Sequence, residues 1–253
     1  MHHFRASDGT ELAFEERGSG APALVFVHGW QADRTVWNEL IDALGPEAHV
    51  LAIDARGSGE SHDATGPYRL ERFAADLRDV IEARELGPVV LVGHSMGATV
   101  ALRFAVDAPD LVCGLVLIAP VPASGGGYSP KGAAYLRSTA ADPAAAREWL
   151  ARTFAQPPDE ATLERLCAAA AQTPRDVALE SFESWAHADF AEATRTIEAP
   201  ALVIAPEHDA RTARERVADL LPNARYAVVP DCAHYAMLER PKAIAALIRE
   251  FLR

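Results

Sequence analysis

Cysteine is scarce in this chain of 253 residues: only Cys113, Cys167 and Cys232 are present. They are widely spaced and odd in number, which excludes a disulfide framework and a paired-cysteine zinc motif. All three read as small buried residues. Cys232 lies two residues before His234, but no tight turn or helix start surrounds it, which argues against a thiolate nucleophile. Positive charge is also short: 24 Lys and Arg face 36 Asp and Glu, for a formal net charge of -12. A chain of that sign repels polyanions at long range, so nucleic acid and anionic membrane surfaces are excluded as partners. No window approaches the roughly 20 uninterrupted apolar residues of a membrane helix, and the opening MHHFRASDGT lacks the apolar stretch of a signal peptide. A soluble, cytoplasmic protein is expected. Gly57 and Gly59 invite comparison with a phosphate loop, yet His62 occupies the third glycine position of G-x-G-x-x-G, so a nucleotide site is not expected.

What the sequence does hold is apolar residues, 49% of the total, ample for a continuous core. They fall into short runs and periodic stretches in alternation. Ala23 to His28, His49 to Ile53, Val89 to Val92, Leu115 to Ala119, Ala201 to Ala205 and Tyr226 to Val229 suit strands. Phe4 to Arg17 alternates around Asp8-Gly9 as a hairpin would. Between these runs, Val36 to Leu44, Leu70 to Leu86, Ala98 to Ala105, Val217 to Leu221 and Ile244 to Leu252 suit helices. Residues 131–195 depart from the alternation, being alanine-rich and poor in strand signals. Asp142-Pro143, Asp159 and Thr173-Pro174 are placed there as helix starts, and about four short helices are expected.

One stretch organises the rest. Gly93-His94-Ser95-Met96-Gly97 stands between a strand run and a helical repeat, the context that makes G-x-S-x-G a nucleophile elbow. The glycines are needed because side chains there would collide with the neighbouring strand and helix. Ser95 is thereby raised at a helix N-terminus, where backbone N–H groups and the dipole favour developing negative charge.

Together with Phe26-Val27-His28-Gly29-Trp30 and Asp54-Ala55-Arg56-Gly57-Ser58-Gly59-Glu60-Ser61, this stretch resembles the α/β-hydrolase family, and the resemblance covers nearly the whole chain. It implies an α/β fold: a mostly parallel central sheet flanked by helices, formed by residues 1–119 and 197–253, with residues 120–196 inserted as a helical cap. It implies a triad of Ser95, Asp209 and His234 in that chain order, and an oxyanion hole made by the backbone N–H groups of Trp30 and Met96. His28, Asp54 and Arg56 are expected to brace loops. The side chain of His94 is expected to point away from the site. Trp30, together with Tyr128, Phe154 and Trp185 of the cap, is expected to bind substrate.

Three carboxylates, Glu207, Asp209 and Asp231, compete for the acid, with Asp209 favoured because it follows the right strand with enough loop to reach across. The chemistry expected is hydrolysis of a small-molecule carboxylic ester, thioester or lactone through an acyl-enzyme, with no metal and no organic cofactor. A carbon–carbon bond hydrolase and a cofactor-free perhydrolase use the same constellation. A non-catalytic ligand receptor on this fold is the alternative of a different class.

Overall fold

A computed structural model describes residues 1–209 and 214–253. The hairpin expected around Asp8-Gly9 is present as β1 (His2–Arg5) and β2 (Glu11–Arg17), paired antiparallel. Six further strands follow: β3 (Leu24–Val27), β4 (Val50–Ile53), β5 (Val89–His94), β6 (Val112–Ile118), β7 (Ala201–Pro206) and β8 (Ala224–Val229). Together they form one sheet in the order β1-β2-β4-β3-β5-β6-β7-β8, parallel from β4 through β8. All residues of β3 and β5 are buried, which is why these strands read as unbroken apolar runs with no polar face.

The helices outside the β6–β7 connection are α1 (Asn38–Leu44), α2 (Leu70–Ala83), α3 (Met96–Asp107), α8 (Arg214–Leu220), α9 (Ala236–Glu239) and α10 (Pro241–Phe251). α2 packs on α3 and α1 packs on α10. Between β6 and β7 stand the four expected helices, α4 (Pro130–Thr139), α5 (Pro143–Ala151), α6 (Glu160–Gln172) and α7 (Arg175–Ala186). Asp142 caps α5 by accepting from the Ala144 N–H, and Asp159 caps α6 through the Thr162 N–H. The first helix starts at Ser129, whose side chain accepts from the Gly132 N–H ahead of Pro130, a cap hidden in sequence by the flexible Gly125-Gly126-Gly127 stretch before it. Among the described residues no helix is long and apolar enough to cross a membrane.

Two local expectations need correction. Cys113 is exposed rather than buried, because it takes the one outward position of β6, and Cys167 on α6 is only partly buried. The bracing roles of His28, Asp54 and Arg56 are met in full. Nε2 of His28 accepts the Ala55 N–H at 3.0 Å, so its Nδ1 carries the proton and donates to the Gly29 carbonyl at 2.8 Å. Asp54 receives the Arg34 and Glu60 N–H groups. Arg56 is fully buried against Asp76, with Nη2 2.7 Å from Oδ1 and Nε 3.0 Å from Oδ2.

The order of strands fixes where a ligand can sit. β3 pairs with β4 on one side and β5 on the other, so the chain reverses direction across the sheet at β3. Loops leaving β3 and β5 are pushed apart from their neighbours there and leave a crevice beyond the strand ends. His28-Gly29-Trp30 and Ser95 are the residues at that crevice.

Candidate active site

The turn after β5 is as tight as the glycine spacing requires. A Cβ on Gly93 would lie 2.5 Å from the Gly97 carbonyl oxygen, and one on Gly97 would run into the carbonyl oxygens of Val27 and His28. Ser95, between them, is held at φ 53° and ψ -118°. A left-handed φ at a non-glycine residue is strained, and here the surrounding bonds impose it. The Ser95 N–H donates to the Ile118 carbonyl at 3.1 Å, and its own carbonyl accepts from Ala98, Thr99 and Val121. The residue is buried at the base of α3, and its side chain faces a narrow cavity beyond the strand ends.

His234 reaches the same cavity from the loop after β8. Its Nδ1 lies 2.7 Å from Oδ2 of Asp209, whose side chain is 3% exposed. An ionised carboxylate only accepts, so Nδ1 donates and Nε2 is left as the basic nitrogen. The backbone of His234 is clasped on both sides: its N–H donates to the Thr153 carbonyl at 2.9 Å, and its carbonyl receives Nε2–H of His94 at 2.9 Å. Ser95 and His234 share the cavity, and among the described residues no hydrogen bond joins them; such contacts often tighten only when a substrate binds.

The other two carboxylates are engaged elsewhere. Glu207 accepts the Asp231 N–H at 3.0 Å, and Asp231, on the surface, faces Arg240 at 3.8 Å. Glu207, His208 and Asp231 bring possible ligand atoms within 4.8 Å of one another, but all three are exposed, and His208 Nε2 lies 3.7 Å from the Glu207 carboxylate.

His94 does not point away from the site. It lines the cavity, its ring 4.7 Å from that of His234 and 5.2 Å from that of Tyr235. The cause is the clasp just described: a ring that must reach the His234 carbonyl has to turn toward that loop. Burial holds its pKa well below the ordinary imidazole range, and the neighbouring His234 adds to the effect. Cys232 is buried beside the same loop, and burial pushes its thiol up to about 11, which leaves it unreactive at neutral pH.

The backbone N–H groups of Trp30 and Met96 stand at the turn after β3 and the first residue of α3, and among the described residues neither has a protein acceptor. The Trp30, Tyr128 and Trp185 side chains line the cavity. Phe154 does not. Its ring stacks on Tyr235 at 5.3 Å and 12°, one layer behind the lining, because the segment after α5 runs along the His234 loop. Trp149 and Leu136 line the cavity and were not singled out in the sequence. Both lie on alanine-rich helices whose spacing tells which residues are apolar but not which helix face meets the core.

The sequence matches the alpha/beta hydrolase family over residues 24–247. The chain belongs to that family. Among other alpha/beta hydrolases, a thermophilic esterase from Thermogutta terrifontis has a solved structure that matches at a TM-score of 0.84 and 28% identity, covering 100% of this chain and 98% of the other. A Mycobacterium tuberculosis protein provisionally named non-heme bromoperoxidase BpoC is 30% identical over 272 residues, 95% of this chain and 97% of the relative. An uncharacterised protein of the same organism, Rv2715, is 36% identical over 115 residues; that match takes in 46% of this chain and spans only about a third, 33%, of the relative's length.

Proposed function

We propose that this alpha/beta hydrolase is a serine hydrolase that cleaves a carboxylic ester, thioester or lactone of a small molecule through an acyl-enzyme. The observation that carries the proposal is the 2.7 Å contact between His234 Nδ1 and the buried Asp209, beside the cavity that Ser95 faces. A serine hydroxyl is a weak nucleophile near neutral pH, and the basic Nε2 that Asp209 leaves on His234 is what it lacks. Ser95 Oγ adds to the scissile carbonyl while His234 takes its proton. The negative charge on the carbonyl oxygen is received by the N–H groups of Trp30 and Met96 and by the N-terminal end of α3. Collapse expels the alcohol, thiol or lactone oxygen with the proton from His234. Water, deprotonated by the same histidine, then frees the acid and restores Ser95. Asp209 keeps the imidazole in the donating tautomer throughout and stabilises its cationic form.

In the same reading, residues 120–196 act as a cap over residues 1–119 and 197–253, and Trp30, Tyr128 and Trp185 contact the substrate. The similarity to a protein named as a bromoperoxidase supports a second use of the same intermediate, in which peroxide rather than water opens the acyl-enzyme and a peracid leaves. A fluorophosphonate is expected to label the protein once, and Ser95→Ala to abolish labelling and steady turnover of nitrophenyl esters together. Labelling that survives the substitution puts the nucleophile elsewhere, and a single slow turnover with a lasting adduct makes the protein a receptor rather than an enzyme.

A further inference from the structure

Three tryptophans stand together on one wall of the cavity. Trp30, from the loop after β3, lies edge-on to Trp149 of α5 at 5.7 Å and to Trp185 of α7 at 5.8 Å. The middle indole is satisfied within the protein, its Nε1–H donating to the Ala178 carbonyl at 2.9 Å. The flanking two are not. Trp149 is 6% and Trp185 3% exposed, yet neither Nε1–H has an acceptor among the described residues. Buried polar groups are nearly always paired, and tryptophans that hide their rings usually find a partner for the N–H. Two unpaired donors on residues that line one cavity therefore point to a ligand that completes them. Trp37 is a third unpaired indole, but it lies outside the cavity, against Phe26 in the core.

The chemistry of the donors narrows the ligand. An indole N–H donates and cannot accept, so its partner is an acceptor. Both donors are uncharged and the described lining holds no Lys or Arg, so beside these indoles no fixed positive charge is described that would offset a buried carboxylate. A neutral oxygen fits: an ether, a ketone, or the carbonyl of an amide or second ester. Both indoles belong to the inserted helices rather than to the loops that carry Ser95 and the backbone donors, so the oxygen they meet is a second one, distinct from the scissile carbonyl. Resting on the ester-hydrolase reading above, we propose that Trp149 and Trp185 form an acceptor subsite, and that the preferred substrate carries a neutral oxygen acceptor in addition to the bond that is cut.

The test compares esters that differ in one atom. On the acyl side, nitrophenyl methoxyacetate replaces a methylene of nitrophenyl butyrate by an ether oxygen; on the alcohol side, 2-methoxyethyl acetate does the same to butyl acetate. The quantity read is the ratio of kcat/KM for the ether over the alkyl ester, in the unsubstituted protein, Trp149→Phe and Trp185→Phe. Intrinsic reactivity and lost ring packing act on both members of a pair and cancel in the change of ratio. The ratio is expected to fall by about 2- to 12-fold per lost indole donor in at least one pair, the worth of one net hydrogen bond. Turnover of all four esters with ratios unchanged in both variants overturns the subsite and leaves the hydrolase standing. Failure to turn over any of them counts against the hydrolase itself, and a binding measurement then decides the subsite. In ¹⁵N-labelled Ser95→Ala protein, the ether esters are expected to move the Trp149 and Trp185 indole N–H signals downfield while Trp37 stays in place. Equal shifts with the alkyl esters also overturn the proposal.

Discussion

At the scale of single residues, which carboxylate serves His234 is the sharpest question, and distance favours Asp209 over its two neighbours. Asp209→Asn keeps the shape but lets an amide N–H face the imidazole, which then turns its proton toward Ser95. Turnover of one nitrophenyl ester is expected to fall on the order of 10³-fold, somewhat less than the roughly 10⁴-fold cost of the same exchange in serine proteases. Glu207→Gln and Asp231→Asn should stay within about 2-fold, since both side chains are exposed and contacts of that kind are worth at most about 1 kcal/mol. A crippled Glu207→Gln beside a near-normal Asp209→Asn would reverse the assignment.

His94 gives a second residue-scale prediction, one of stability. In the unfolded chain an imidazole gains its proton near about pH 6.5, whereas burial keeps the folded His94 neutral well below that. Its contribution to stability is therefore complete above about pH 6.5 and is lost as the pH falls, at about 1.4 kcal/mol per pH unit, until the folded site takes up the proton too. The ionisable groups acting on it are His28, His234 and Asp209. His94→Gln retains a donor for the His234 carbonyl but cannot titrate, so urea midpoints measured from pH 7 to 5 should fall less steeply in the variant. Parallel slopes would move the acid sensitivity to another group.

At the scale of elements, the elbow was legible because three constraints coincide in five residues: a strand run, two glycines and a helix start. Close packing against β3 makes Gly97 necessary, since an added methyl would meet backbone carbonyls that no rotamer change can move. Gly97→Ala is expected to cost about 3 kcal/mol or more and to abolish fluorophosphonate labelling. Gly87→Ala, whose added carbon meets nothing within 4 Å, should change stability by less than about 0.5 kcal/mol. If both variants unfold at the same denaturant concentration, the elbow has room the structure does not show. The inserted helices were legible in number and in their Asp caps, but not in orientation. Phe154 and Trp149 are apolar residues on or beside the same helix, and only the packing of the segment after α5 along the His234 loop decides that one stacks behind Tyr235 while the other reaches the cavity. His94 was misread for a related reason. Its direction is fixed by a hydrogen bond to a carbonyl 140 residues away in sequence, and no local periodicity carries that information.

The inserted helices are also tied down rather than free. Trp30 donates to the Ala178 carbonyl, Gln31 Nε2 to Thr139 Oγ1 at 2.9 Å, the Leu70 N–H to Ser184 Oγ at 3.0 Å, and the Ala155 N–H to Glu239 at 2.8 Å. These bonds run from α4, α7 and the segment after α5 to the loop after β3, the start of α2 and α9, so the helices between β6 and β7 are braced at several points.

At the scale of the whole molecule, the formal charge of -12 acts on every ion that approaches the cavity. Coulomb repulsion at long range lowers the local concentration of anions and leaves neutral molecules unaffected. The Debye length is about 30 Å at 0.01 M salt and about 10 Å at 0.1 M, so added salt removes this barrier before it touches the contacts inside the site. The comparison that isolates it is nitrophenyl butyrate against the nitrophenyl monoester of succinic acid, whose free carboxylate stays ionised at neutral pH. At 0.01 M salt kcat/KM for the succinate ester should be the lower of the two, and it should rise on the order of 2- to 5-fold by 0.3 M. The butyrate value should stay flat over the same range. A succinate rate that instead falls with salt would mean that a local positive potential at the mouth outweighs the net charge of the chain.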